Sequence, residues 1–284
     1  MLDQVLIFVI GIIVSAFGTL VGFGGGIFMV PILIIFFQYS IENAIGATLA
    51  SLLPASLISS FFNYREKNID YLVATLIQVP AIAGTITGAF LVAFMPVLEM
   101  QFFFAFFVIA LSIYLLSTRK SPAQSPKKST MYRLRRMPTT FIRRNRHKKV
   151  AYRLNGGIIG LFGYLSGCIA GLFGVGGGFL QTPFMIRVFR MPPQIATSTS
   201  LFILIITSFS GLVSHYLLGH VIWLKTMPLM AAFAIGAAYG KVLRHRRTKL
   251  PGTEIMIGVG LFLAGIGLIL NILIRSNYFQ QLVK

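Results

Sequence analysis

The sequence predicts an all-α polytopic membrane protein made of two inverted-topology repeats, each opening with a segment broken at glycines. Three observations carry this reading. Of 284 residues, 56% are hydrophobic and only 11% charged, and the mean hydropathy is +0.83; a soluble domain of this size needs a larger polar surface. Apolar runs longer than about 18 residues, enough to cross a hydrocarbon core of roughly 30 Å, recur along the chain. The two halves also carry the same marks at an offset of about 152 residues. Gly22, Gly24, Gly25 and Gly26 align with Gly174, Gly176, Gly177 and Gly178, and Pro31 aligns with Pro183. Ala44, Leu49, Ser56, Tyr64, Gly84 and Gly88 then meet Ala196, Leu201, Ser208, Tyr216, Gly236 and Gly240 in order. So long an ordered series marks an internal repeat.

Each half reads as four apolar blocks. In residues 1–118 they are about Leu2–Phe37, Asn43–Phe62, Tyr71–Phe94 and Met100–Leu116. In residues 154–284 they are about Leu154–Phe189, Ile195–Leu217, Thr226–Leu243 and Glu254–Ile274. The N-terminal run continues directly into membrane sequence and reads as the first membrane segment, not a cleaved signal. A helix over Leu2–Phe37 would be about 54 Å long, more than one crossing needs. The block therefore folds back at its glycines, as a re-entrant hairpin or as two crossings.

Between the repeats, residues 119–153 hold 13 of the 25 Lys and Arg residues among Ser, Pro and Gln. That composition predicts a disordered or loosely helical linker lying against an anionic lipid leaflet, with no folded basic domain for nucleic acid. If the linker is cytoplasmic and each first block returns to its starting side, the basic residues sort cleanly. Arg65, Lys67, Arg187, Arg190 and the Lys241–Lys249 run then fall inside, leaving Lys225, Arg275 and Lys284 outside. Each half then crosses an odd number of times, so the halves run in opposite directions, as multi-pass segments of a cell (bacterial inner) membrane.

A broken segment in each inverted half is the layout of a secondary transporter, whose site lies between the breaks. Backbone N–H groups at the restart of each helix favour an anion, and no acidic residue lies mid-block to hold a cation. The candidate binding residues are Gly24, Gly25, Gly26, Gly176, Gly177 and Gly178, with Pro31 and Pro183 setting each helix restart. The hydroxyl run Thr197, Ser198, Thr199 and Ser200, the weaker counterpart Thr48, and Gln181 supply further donors. The expected partners are a small anion and the bilayer; a homo-oligomer stays open.

Other readings compete. Glycine clusters also serve helix packing, which is the default for Gly84, Gly88, Gly236 and Gly240. The hydroxyl run could bond back to its own helix. His215 and His220 fall near the outer face, where His215 reads as a hydrogen-bonded interface histidine or a proton-coupling group. Ser166 with His215 only loosely resembles an intramembrane protease, and a channel shares the physics of a carrier. Cys168 stands alone, so neither a disulfide nor a thiolate metal site is expected, and no cofactor or metal is.

The stretches GTLVGFGGGIFMVPIL and AGLFGVGGGFLQTPFM, with ATSTSLF and SHYLLGHVIW, resemble the sulfite exporter TauE/SafE family over most of the chain. The resemblance implies a transporter, an exporter of small sulfur-containing anions such as sulfite or organosulfonates. Two departures stand out: the long basic linker, and AIGATLA in the first half where the family carries hydroxyls. The second implies an asymmetric site in which the C-terminal half supplies more donors.

Overall fold

The computed structural model describes residues 2–117, 140–145, 150–246 and 253–275. The N-terminal half holds α1 (Leu2–Val21), α2 (Gly26–Phe37), α3 (Ile41–Arg65), α4 (Tyr71–Phe94) and α5 (Val97–Ser117). A hairpin of β1 (Thr140–Asn145) and β2 (Val150–Asn155) leads to α6 (Gly156–Phe173), α7 (Gly178–Arg187), α8 (Pro193–Leu217), α9 (Trp223–Arg246) and α10 (Thr253–Arg275). Eight helices are long and apolar enough to cross a membrane; α2 and α7 are not among them. At 12 and 10 residues, these two reach only about 18 and 15 Å.

Glycine sets how the long helices meet. A Cβ on Gly84, Gly88, Gly167 or Gly171 would overlap main-chain carbonyls across the α4–α6 interface, and one on Gly163 would lie 2.6 Å from the Ile77 carbonyl oxygen. The same holds between α1 and α9, where Gly236 and Gly240 face the carbonyls of Ile12 and Ala16. Packing is therefore the role of Gly84, Gly88, Gly236 and Gly240, and backbones touch where larger residues would hold them apart. In both pairs residue numbers rise together, so α1 runs parallel to α9 and α6 parallel to α4.

These contacts fix where each broken segment begins and ends. Asp70, the N-cap of α4, accepts from Tyr152 of the hairpin, so α4 and α6 start on one face, the linker face. Arg187 at the end of α7 donates to Tyr114 near the end of α5 at 2.6 Å, so α7 returns there. On the far face, Tyr39 beyond α2 lies under the Lys225 ammonium of α9, 5.4 Å from its ring centroid. Because α1 starts beside α9, the α1–α2 segment also leaves and returns to one face. Of the two arrangements the sequence leaves open, the fold-back holds, with a long descending helix and a half-length return.

The linker differs from expectation in the part described. Residues Thr140–Asn145 and Val150–Asn155 pair as an antiparallel hairpin, Phe141 opposite Leu154 and Arg143 opposite Tyr152. Alternation explains it: Tyr152 and Leu154 on one face of β2 are buried while Ala151 and Arg153 are exposed, the period of a half-buried strand. The density of basic residues masked that pattern. The α6 start at Gly156 is capped by Asn155, which accepts from the Ile158 N–H at 3.0 Å. Residues 118–139 and 146–149 of the linker lie outside the described residues, as do Arg247, Lys249 and Lys284 among the charges sorted above.

One contrast tests the packing. Gly88→Ala drives a Cβ into the Cys168 carbonyl, whereas Gly160 on α6 has nothing within 4 Å. Gly88→Ala is expected to destabilise by about 1–3 kcal/mol, lowering the melting temperature of detergent-purified protein by several degrees. Gly160→Ala is expected to leave it unchanged or slightly raised.

Candidate functional site

The two breaks meet at mid-depth. Gly22, Gly24 and Gly25 have φ of 106°, 78° and 93°, and Gly174, Gly176 and Gly177 have 69°, 76° and 64°. That is backbone that side-chain-bearing residues rarely adopt. The positions where Cβ atoms would stand on Gly24 and Gly176 lie 2.5–2.8 Å from the methyl carbons of Leu52 and Leu204. These leucines are themselves repeat mates, each the twelfth residue of a 25-residue helix. A Cβ on Gly26 would lie 3.1 Å from the Val175 carbonyl oxygen, and one on Gly178 would lie 3.4 Å from the Phe23 Cα. The candidate glycines of both halves are thus brought together.

The breaks leave backbone groups of both kinds open: among the described residues no backbone donor pairs with the carbonyls of Phe23, Gly24, Gly174 or Val175. Of the carbonyls around them, Gly22 accepts from the Thr182 hydroxyl at 3.1 Å, and Gly171 meets His215 Nε2 at 2.8 Å. Ser200 donates to the Gly178 carbonyl at 3.0 Å. Among the described residues no backbone acceptor pairs with the N–H groups of Gly25, Gly26 or Ile27, or of Gly177 or Phe179. Neither Gly25 nor Gly177 has a side chain to cap its helix. Buried Thr48 Oγ1 and Gln181 Oε1 also lack partners, Thr48 with its methyl beside Gly26 and Gln181 with its amide beside Gly177. Gln181 Nε2 reaches Ser166 Oγ at 3.4 Å.

The hydroxyl run does not converge as a set. At 100° per residue, four consecutive side chains point around most of a helix. Thr197 lies against Gly22 and Ser200 against Gly178, but Ser198 donates to Asn63 Oδ1 at 3.0 Å. Thr199 accepts from the Asp70 N–H at 3.1 Å. None of the four bonds back to its own helix; Thr207, Ser208, Ser210 and Ser214 further along α8 do. Pro31 and Pro183 also sit elsewhere than expected. Both lie inside helices that have already restarted at Gly26 and Gly178, so the glycines set the restart. Each proline, lacking an N–H, instead denies a helical partner to the carbonyl four residues earlier, at Ile27 and Phe179.

A cavity of about 280 Å³ opens beside the breaks, lined in part by Phe23, Ile27, Phe179, Thr182, Pro183 and Thr197. Leu115 and Ile186, near the ends of α5 and α7, place it on the linker side. Its walls are mostly apolar, with Thr182 and Thr197 as the hydroxyl-bearing residues. Arg187 lines a separate groove between α5 and α7.

Sequence reading missed a buried polar network between this cavity and the linker face. The Asp70 carboxylate accepts from Tyr152 and from Arg143 Nε at 3.3 Å. Lys241, also buried, donates to Asn63 Oδ1 at 2.5 Å and to Glu66 at 3.0 Å. The signal available was Asn63, an amide directly after the Asn43–Phe62 block; Lys241 falls with the basic residues of the helix end.

Two half-helices without side-chain caps meet inside a bundle in which, among the described residues, eight helices are long and apolar enough to cross a membrane, which makes this a polytopic membrane protein. The chain belongs to the sulfite exporter TauE/SafE family, whose model matches residues 7–270. The probable membrane transporter protein YunE of Bacillus subtilis is 28% identical over 276 residues, covering 93% of this chain and 97% of that protein. The probable membrane transporter protein MJ0441 of Methanocaldococcus jannaschii is 24% identical over 277 residues, covering 91% and 94%. Sulfite exporter TauE/SafE family protein 3 of Arabidopsis thaliana is 33% identical over 78 residues, 27% of this chain and 15% of that protein. No solved structure matches.

Thr48 offers a test with opposite signs. A buried hydroxyl without a partner costs about 1–3 kcal/mol. Thr48→Val, nearly the same shape, is expected to raise the melting temperature of ligand-free protein. It is also expected to weaken anion-induced stabilisation, read in the same melting assay with and without anion.

Proposed function

We propose that this protein is a secondary transporter, an exporter of small sulfur-containing anions such as sulfite or organosulfonates, working by alternating access at a site between the two glycine breaks. The observation that carries the reading is that two helices restart side by side with N–H groups of Gly25, Gly26, Ile27, Gly177 and Phe179 that no backbone acceptor meets. Two positive helix ends directed at one point favour an anion. Gln181, Thr48, Thr197 and Ser200 stand close enough to add neutral donors, so a bound oxyanion is held without a full positive charge and can be released.

Acidic side chains support the same sign. Asp70 and Glu66 are the carboxylates nearest the core of the fold, and each is matched by a cation, Arg143 and Lys241. Contact between the two breaks, with Leu52 and Leu204 wedged against both, favours a carrier over a continuously open channel. Ser166 donates to the Gly163 carbonyl and His215 is engaged by Gly171 and His220, an arrangement that argues against a serine–histidine enzyme. The sulfur-anion assignment rests on the name of the sulfite exporter family and on that of the Arabidopsis relative. The linker face, which gathers Arg65, Arg187 and the hairpin, is placed in the cytoplasm against an anionic leaflet.

The first experiment is thermal stabilisation of detergent-purified protein by sulfite, sulfate, thiosulfate, methanesulfonate, carboxylates and simple cations. A ligand at 100 times its dissociation constant adds about 2.7 kcal/mol if it binds only the folded state. Stabilisation confined to sulfur oxyanions or sulfonates is expected; stabilisation by cations alone defeats the reading. Gly177→Leu, at φ 64° beside Gln181 and the Ser166 carbonyl, is expected to abolish flux in proteoliposomes while the protein still inserts. Retained flux would remove the breaks from the site.

A further inference from the structure

His215 and His220 form a coupled pair on the face opposite the linker. His215, in the last turn of α8, is fully buried; His220 is half-buried in the α8–α9 connection. Their Nδ1 atoms lie 3.0 Å apart, and His215 Nε2 lies 2.8 Å from the Gly171 carbonyl oxygen. A carbonyl only accepts, so His215 Nε2 carries a hydrogen. The Gly171 carbonyl is available because α6 ends two residues later and the chain turns at Gly174, leaving its last carbonyls without helical donors. Neutral His215 therefore presents a lone pair at Nδ1, and His220 must donate its Nδ1 hydrogen to it. The tautomers follow from the partners.

This leaves one basic position, His220 Nε2. A proton arriving there makes His220 an imidazolium; transfer of its Nδ1 hydrogen to His215 Nδ1 returns His220 to neutrality and moves the charge inward. His215 then donates from both nitrogens, and its bond to Gly171, three residues before the second break, becomes charge-assisted and stronger. A second proton cannot be added while the rings stay in contact, since two N–H groups would face each other at 3.0 Å.

The surroundings limit which groups share this proton. From α3, Glu42 attracts positive charge at His220, while burial pushes His220 below the usual histidine value; His220 is thus neutral at pH 7 and gains its proton as pH falls. Gly46 of α3 lies against the His220 carbonyl. From α6 comes the Gly171 carbonyl, with Cys168 one turn earlier on that helix. At the start of α9, Lys225 is turned to Tyr39 and Trp223 packs on Tyr216.

The other end of the molecule differs at the same repeat positions. There the mates of His215 and His220 are Asn63 and Asn68, which bond Lys241, Ser198 and Glu66. An amide does not titrate, so at these matched positions only the far end carries groups that change charge near neutral pH; the chain's other histidines, His147 and His245, fall in the linker and in the last turn of α9. We infer that His215 and His220 are a proton-binding relay on the far face, through which a single proton reaches the carbonyl end of α6 beside the second break and is coupled to carriage of the anion. This deepens the proposed function and rests on it.

Histidine-selective nitrogen NMR of the full-length purified protein, titrated from about pH 8 down to about pH 4 so that a fully buried imidazole is included, reads the relay without any ligand. The expected result is a coupled titration in which His220→Gln abolishes protonation of His215. In liposomes with an imposed pH difference, gradient-driven flux of methanesulfonate or thiosulfate is expected to fall about tenfold or more in His220→Gln. Stabilisation of that variant by the same anions is expected to persist. Independent titration of the two histidines, or unchanged gradient-driven flux in His220→Gln, overturns the proposal. Absence of any anion stabilisation in the wild-type protein strikes the anion-carrier reading instead, and the coupled titration would still be visible.

Discussion

A helix that breaks inside a bilayer frees carbonyl and N–H groups that lipid cannot satisfy, and covering two such breaks organises the rest of this fold. Both breaks sit at the centre, against each other and against Leu52 and Leu204. The glycine-lined contacts of α1 with α9 and of α4 with α6 draw the long helices close enough to enclose them. Some of the freed carbonyls are answered by side chains reaching across from the other half, as Thr182 does for Gly22. Among the N–H groups, those of Gly25, Gly26, Ile27, Gly177 and Phe179 meet no backbone acceptor, and the proposed preference for an anion rests on them.

The two ends of the molecule treat polarity differently. Toward the linker, charges are buried in fixed pairs: Asp70 with Arg143 and Tyr152, Lys241 with Glu66 and Asn63. Burying ions is costly unless each is matched and hydrogen-bonded, and here each is. The hairpin thereby becomes part of the membrane domain's wall, and through the Asp70 N–H it touches Thr199 on α8. At the far end the same repeat positions carry imidazoles.

Much of the helical layout was legible because it rests on one-dimensional signals. Hydropathy placed the long helices, and the repeat located the breaks: the block read as Leu2–Phe37 became α1 and α2 with the turn at its glycines. The site was legible only where a residue's backbone did the work, as at Gly24 and Gly176. Side-chain direction was not. Thr197 to Ser200 are adjacent in sequence, yet α8 sends Ser198 and Thr199 toward Asn63 and Asp70. The prolines were expected at the helix restarts because proline often begins a helix; glycine with positive φ had already begun these. The hairpin was hidden because composition outweighed alternation over only twelve paired residues.

Leu52 and Leu204 bear on how such a molecule avoids leaking. Each lies against glycines of both breaks, so neither break has a plug of its own. A displacement that uncovers one break must shift a side chain that the other also leans on. In the alternating access proposed above, the two entrances would thereby be geared together like the doors of an airlock, by apolar contact alone. A larger or smaller residue at either leucine would then alter the timing between the doors, leaving the backbone donors at the helix restarts untouched.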